Sequence, residues 1–254
     1  MDKVKPKVYL IGSTQIDKEG LYNYLQETDN LAFQEILTGI DQMDIVSFYA
    51  KLCYKSLSLG HNDNVSKVRD IASNFIGCIE SGHGSVLEHA TINFVAENVS
   101  RIETTEQIRH RVGVAYSGES GRYCFTGKLK IWIPEVIARN PGVSEFFLRA
   151  VQEAEDNMNT LADMILTDCK NFDEKKVATS AVRRLKPLGC GETLGFSLNL
   201  RTIRHTVQMR TSRHAEEEIR IVFNQVADLV STRIPLLFHD AKVELVNGLK
   251  EYKF

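Results

Sequence analysis

Strand-like segments in this chain are few and widely spaced, and that spacing limits its fold more than any other feature. Residues 4–11 mix β-branched and apolar side chains and end at Gly12-Ser13. Residues 90–95 alternate, 130–133 form a short run closed by Pro134, and 193–200 read as a further strand. Helical periodicity fills the distance between them. It covers 44–58 with Asp44 as N-cap, 65–80 up to Ser81-Gly82, and a stretch from Ser100 that dissolves at Gly113. It returns over 144–170, 173–185, 201–213 and 214–233. Regular strand–helix alternation would build a doubly wound parallel sheet, whereas this irregular order predicts an α+β fold with one mixed or antiparallel sheet flanked by helices. Residues 83–88 read as a polar connection, and 115–127, with their glycines, serines and aromatics, as a loop. With no repeat or linker in sight, residues 1–254 read as a single domain.

The composition suits a packed core: 43% of the 254 residues are hydrophobic and 25% charged. A net charge of −2 argues against a dedicated nucleic-acid binder. Five cysteines in no paired spacing read as reduced, intracellular thiols. The short apolar run before Gly12 is too brief for a signal segment, and no stretch approaches a membrane span, so a cytoplasmic protein without a membrane partner is expected. Cys53, Cys78 and Cys169 fall on apolar helix faces and are expected inside, whereas Cys124 and Cys190 border polar loops.

The arginines cluster. Arg109 and Arg111 flank His110 at a predicted helix end, Arg122 follows in the glycine-bearing loop, and Arg183-Arg184 end another helix. Arg201, Arg204, Arg210 and Arg213 crowd a segment that also holds His205 and His214. Four-residue spacing pairs Arg201 with His205 and Arg210 with His214 on one helix face. Planar guanidinium groups suit phosphate oxygens, so a chain near neutrality with such local concentrations suggests anionic, nucleotide-type ligands. Ordinary salt bridging to Glu216–Glu218 and Asp228 is the competing reading. His83, Glu88 and His89 fit no standard zinc spacing, and no metal is expected. Ser85, Ser117 and Ser120 lack a nucleophile elbow.

At 109–123 the run RHRVGVAYSGESGRY resembles the signature of flavin-dependent thymidylate synthases, in which RHR precedes a serine by seven or eight residues; here eight separate Arg111 from Ser120. GHGSVLEHATINF, VRRLKP, NLRTIRHTVQMRTSRHAEEEIR and FYAKLCYKS resemble further elements of that family, in order over about 47–220. The resemblance implies that family's fold and FAD-dependent methylation of dUMP to dTMP. Methylenetetrahydrofolate and NADPH would be co-substrates, and no covalent protein nucleophile would be needed. It implies a homotetramer whose sites draw on several subunits. Carried over residue by residue, Arg109, His110, Arg111, Ser85, Glu88, Asn199, Arg201, His205 and His214 would hold FAD. Ser120, Arg122, Arg183, Arg210 and Glu106 would hold the nucleotide. Arg210, with Ser120, would be catalytic, Arg210 polarising the uracil carbonyl as charge develops on the ring. The chain departs from the pattern at Val114 and at Ser117-Gly118, with Glu119 shifted, and the resemblance therefore leaves open another pyrimidine nucleotide, hydroxymethyl transfer, or a nucleotide-binding protein without catalysis.

Overall fold

The computed structural model describes residues 1–61, 67–124 and 127–254. Its centre is a four-stranded antiparallel sheet in the order β2-β3-β6-β4. In chain order the strands are β1 (Asp2–Lys3), β2 (Lys7–Ser13), β3 (Thr91–Ser100), β4 (Val114–Gly118), β5 (Lys130–Ile131), β6 (Gly191–Asn199), β7 (Lys242–Val246) and β8 (Leu249–Lys253). The helices are α1 (Lys18–Glu27), α2 (Asp41–Cys53), α3 (Ile71–Glu80), α4 (Arg101–Gln107), α5 (Glu135–Ala138), α6 (Pro141–Leu166), α7 (Phe172–Val182), α8 (Leu200–Arg210) and α9 (Glu217–Arg233). β1 pairs with β5, and β7 with β8, as two-stranded ribbons.

The alternation of β3 and β6 sends Ile92, Phe94, Ala96, Leu194, Phe196 and Leu198 to one face. There they pack with Val46, Ile71, Phe75, Ile203, Val222 and Phe223 from the helices. The opposite face carries smaller and polar groups, with Asn93 Nδ2 donating to Ser197 Oγ at 2.6 Å. A second, smaller core gathers Leu129, Ile131, Val151, Met158, Ala162, Val182 and Cys190 between β5, α6 and α7. Among the described residues no helix is long and apolar enough to cross a membrane.

Several expectations shift. Asp44 is not the cap of α2: it lies buried in the first turn, accepting from the Thr38 and Gly39 N–H groups and the Thr38 hydroxyl. The helix predicted over 65–80 starts after Asp70, which caps it through Ser73 N–H; residues 65–66 lie outside the described residues. The connection at 83–88 is a 3-10 turn, Gly84–His89. The loop predicted over 115–127 contains β4, an edge strand whose pairing with β6 supplies what its small residues lack in propensity. Cys53 is exposed and Cys169 half-buried, whereas Cys190 is buried, because β5 and the α6 layer close over it.

Candidate active site

Two strand-to-helix junctions without an intervening loop build the site. Ser100 ends β3 and its hydroxyl accepts from Glu103 N–H, capping α4. Asn199 ends β6 and its side-chain oxygen accepts from Thr202 N–H, capping α8. Thr91 lies opposite Asn199 and Ser100 opposite Gly191, so the helices start at opposite ends of a strand pair about 30 Å long. The seven residues of α4 advance about 10 Å and the eleven of α8 about 16 Å. Their far ends meet.

At that meeting point Arg210, the last residue of α8, donates Nε to His110 Nε2 at 2.7 Å. Its Nη1 donates to the Glu106 carboxylate at 3.1 Å and its Nη2 to the Glu106 carbonyl at 2.9 Å. The His205 ring stands edge-on to His110, centroids 5.6 Å apart. His110 can accept from Arg210 only with Nε2 unprotonated. Burial first, and then the Arg210 charge and His205, push its imidazole down to about 4. At neutral pH the middle residue of RHR is therefore an uncharged acceptor, and only its neighbours carry charge.

Behind this cluster the α4 face is polar and buried. Glu103 and Gln107, one turn apart, are fully buried, and neither the carboxylate nor the amide finds a hydrogen-bond partner among the described residues. Burial, followed by the charges of Glu218, Glu216 and Glu106, holds the Glu103 acid well above its ordinary range. The Tyr116 hydroxyl donates to the Gln107 carbonyl at 2.7 Å, and burial raises that phenol as well.

A cavity of about 720 Å³ opens between α2, α3, the 84–89 turn and the start of α8, lined by Ser85, His83 and Arg201 together with Lys51, Lys67 and Arg69. Glu88 pairs with Arg201 across 2.6 Å, and His89 stacks flat on Tyr49. Lys51 lies within FYAKLCYKS, but the motifs assign no role to it or to Arg69. A lysine on an apolar helix face, buried and donating Nζ to the Arg69 carbonyl at 2.6 Å, is the signal that marks the first of them.

The other predicted residues fall elsewhere. Arg183 lines a separate cavity of about 350 Å³ with Arg101, Gly121, Arg184 and Lys186. Arg122 stands over the Tyr123 ring and faces Lys176 and Arg184. Ser120 closes a turn, its carbonyl accepting from Tyr123 and Cys124 N–H. Asn199 is used as a helix cap, and its amide lies so close to Gly113 that a Cβ there would come within 2.2 Å. Arg109 and Arg111 are exposed, with no ion pair among the described residues. His214 lies past the end of α8, so Arg210 meets His110 instead of the residue four positions on. Among the described residues no group of three or more His, Cys, Asp or Glu side chains is arranged to hold a metal ion.

An antiparallel sheet that launches two capped helices toward a shared guanidinium–imidazole–carboxylate cluster, with cation-lined cavities nearby, defines the architecture as α+β with its arginines and histidines gathered at one site. The family model for "Thymidylate synthase complementing protein" matches residues 36–236, and the chain belongs to that family. Flavin-dependent thymidylate synthase of Mycolicibacterium vanbaalenii is 31% identical over 206 residues, 78% of this chain and 79% of its own length. That of Corynebacterium glutamicum is 28% identical over 204 residues, covering 79% and 80%. Among solved structures, thymidylate synthase X from Helicobacter pylori with FAD and dUMP superposes with a TM-score of 0.60 at 18% identity, covering 92% of this chain and 98% of that one. A UMP/dUMP methylase from Streptomyces cacaoi bound with 5-Br dUMP gives 0.64 at 15% identity, covering 93% and 95%.

Proposed function

We propose that this chain methylates dUMP to dTMP with FAD as cofactor, methylenetetrahydrofolate as carbon donor and NADPH as reductant, and with no covalent protein nucleophile. The arrangement of Arg210, His110 and Glu106 carries the reading. Arg210 is largely buried and held by a neutral imidazole, a backbone carbonyl and a single carboxylate oxygen, which leaves part of its donor fork where a uracil carbonyl could accept from it. A preorganised donor of this kind stabilises negative charge developing on the ring. Glu106, on the same cluster, would sit beside the nucleotide. The two buried thiols fit the absence of a covalent step: burial pushes Cys190 up to about 11 and raises Cys78.

The cavity beside Ser85 fits the flavin dinucleotide. Its size lies in the range of cofactor sites, and Lys51, Arg69 and Arg201 supply cations for a pyrophosphate. At Gly84 a Cβ would approach Arg201 Nε to 3.0 Å, so glycine there keeps the backbone close to the guanidinium. FAD bound there would supply the carbon and hydride transfer chemistry. Arg201, Ser85 and Glu88 would orient it, with Arg109, His110, Arg111, Asn199, His205 and His214 around its remainder. Ser120, Arg122 and Arg183 stand apart from Arg210 within one chain, and in this reading they complete a neighbouring subunit's site in a homotetramer.

One experiment tests the proposal: the absorbance spectrum of purified protein with added FAD, before and after dUMP, followed by product analysis with both co-substrates. A flavin band perturbed by dUMP, with dTMP formed, is expected. A colourless protein that takes up no FAD overturns it. The loop before Ser120 favours a second nucleotide as a comparison substrate, because Glu119 is tied back to Thr193 at both its N–H and its carboxylate. Turnover of UMP in place of dUMP would move the reading to that nucleotide.

A further inference from the structure

The family model ends at residue 236, and the chain continues into the β7–β8 hairpin, which folds back onto the turn following Arg210. Tyr252 N–H donates to Thr211 Oγ1 at 3.0 Å, and Thr211, wholly buried, is the C-cap of α8 and donates in turn to the Val207 carbonyl at 2.7 Å. Glu251 accepts the Arg213 N–H at 3.0 Å on one oxygen, and Arg213 Nε at 2.9 Å and Nη2 at 2.5 Å on the other. Arg220 spans both elements, donating Nε to the Thr211 carbonyl at 3.4 Å and Nη2 to the Val246 carbonyl at 3.0 Å. Asn224 exchanges two hydrogen bonds with Lys250.

A hairpin that only covered apolar surface would not need a charged residue turned inward. Glu251 is 4% exposed, and hydrogen bonds from Arg213 hold its carboxyl down to about 2. Its oxygens grip the backbone of residue 213, three positions beyond Arg210, and Tyr252 grips the residue directly after it. Between them they fix both the end of the helix and the direction in which the chain leaves.

We propose that the C-terminal hairpin is a positioning device for Arg210, with Glu251 and Tyr252 holding the end of α8 so that the guanidinium meets His110 and Glu106. What Arg210 does to the nucleotide rests on the proposed function; the geometric coupling does not. The His110 imidazole reports it directly, because burial, Arg210 and His205 are the influences that hold it low.

The test compares Glu251→Gln and Arg213→Gln in the full chain with Glu244→Gln, which removes the exposed outer ion pairs to Arg213 and Lys253 and leaves the Glu251 contacts in place. NMR titration of the histidines, with the His110 signal assigned by its loss in His110→Gln, is read beside the KM for dUMP and the flavin occupancy. In the first two variants the His110 midpoint should climb by about one pH unit or more. KM should rise roughly tenfold, since small misplacements of a catalytic group are costly, while flavin occupancy and the Glu244→Gln control stay as in the parent. A folded Glu251→Gln or Arg213→Gln protein whose His110 titrates as in the parent overturns the proposal. Arg213 is an exposed position, so its variant decides the matter even if the buried Glu251→Gln does not fold. Were the parent to ignore dUMP, the proposed function would fall, while the His110 titration would still decide whether the hairpin positions Arg210.

Discussion

Arg204 and Arg210 leave the same helix six residues apart and end in opposite circumstances. Arg204 makes a bidentate pair with Asp240, 2.8 Å on each arm, donates also to the Leu237 carbonyl and lies 4.1 Å over the Phe254 ring. Its charge is neutralised by a carboxylate fitted to its shape, and its plane is covered. Arg210 also has a carboxylate partner, Glu106, but meets it through one oxygen only and shares its other contacts between an uncharged imidazole and a backbone carbonyl, so its planar fork is not closed by one fitted anion. A run of arginines in sequence therefore says little about function. Whether a carboxylate closes the fork bidentately separates anchors from groups kept available.

The contrast can be broken at its strongest point first. Arg210→Ala is expected to cut dUMP turnover by about 10²–10³-fold while flavin occupancy persists, as loss of one preorganised donor does elsewhere. Equal losses of flavin and turnover would show that Arg210 is an anchor after all. Arg204→Ala should do the reverse. It removes charge-assisted hydrogen bonds and leaves Asp240 unmatched, for ~2–3 kcal/mol of stability and a Tm lower by about 6 °C, with the remaining folded protein fully active. A stable but inactive Arg204→Ala would erase the distinction.

Glu103→Gln sharpens it on the buried side. The Glu103 acid is raised when folded relative to its ordinary 4.5, so the folded state keeps a proton that the unfolded chain releases, and stability drains away as pH rises above about that value. The amide removes that loss. Melting curves should show Glu103→Gln above the parent by about 3 °C or more at pH 8 and little different at pH 4.5. The smallest effect belongs to Arg201 and Glu88, both substantially exposed. A double-mutant cycle on melting should give a coupling below about 1 kcal/mol, while Arg201→Ala alone weakens FAD binding. A large coupling would place Arg201 with the anchors.

Much of this was readable from residues alone. The strands at 90–95 and 193–200, the helix start at Ser100 and the irregular α+β order follow from local periodicity and turn chemistry. β4 did not, because five residues of edge strand containing Ser117 and Gly118 depend on pairing with β6, some eighty positions away. The helical period also runs through RHR without a breaker, yet α4 stops at Gln107. The Glu106 carbonyl accepts both Arg109 N–H at 3.3 Å, in a tightened last turn, and Arg210 Nη2, so the helix ends where its last turn meets a residue a hundred positions away. The hairpin lies beyond the last predicted helix, although Asn247-Gly248 carries the two left-handed residues that a tight two-residue turn requires. The meeting of Glu106, His110 and Arg210 spans about a hundred residues and leaves no local trace.

The direct joining of β3 to α4 and of β6 to α8 has an evolutionary consequence. With no loop at either junction, an inserted residue can be absorbed only as a bulge, such as the one β3 already carries between Ala96 and Val99, where it has one residue more than β6. One extra residue in α8 would carry Arg210 forward by about 1.5 Å and swing it through roughly 100°. One in either strand, unless bulged out in this way, would turn the following segment to the other face of the sheet. Relatives that keep this chemistry are thus constrained to keep the lengths of 91–107 and 191–210, and drift in length is expected to collect in the connections outside those two spans.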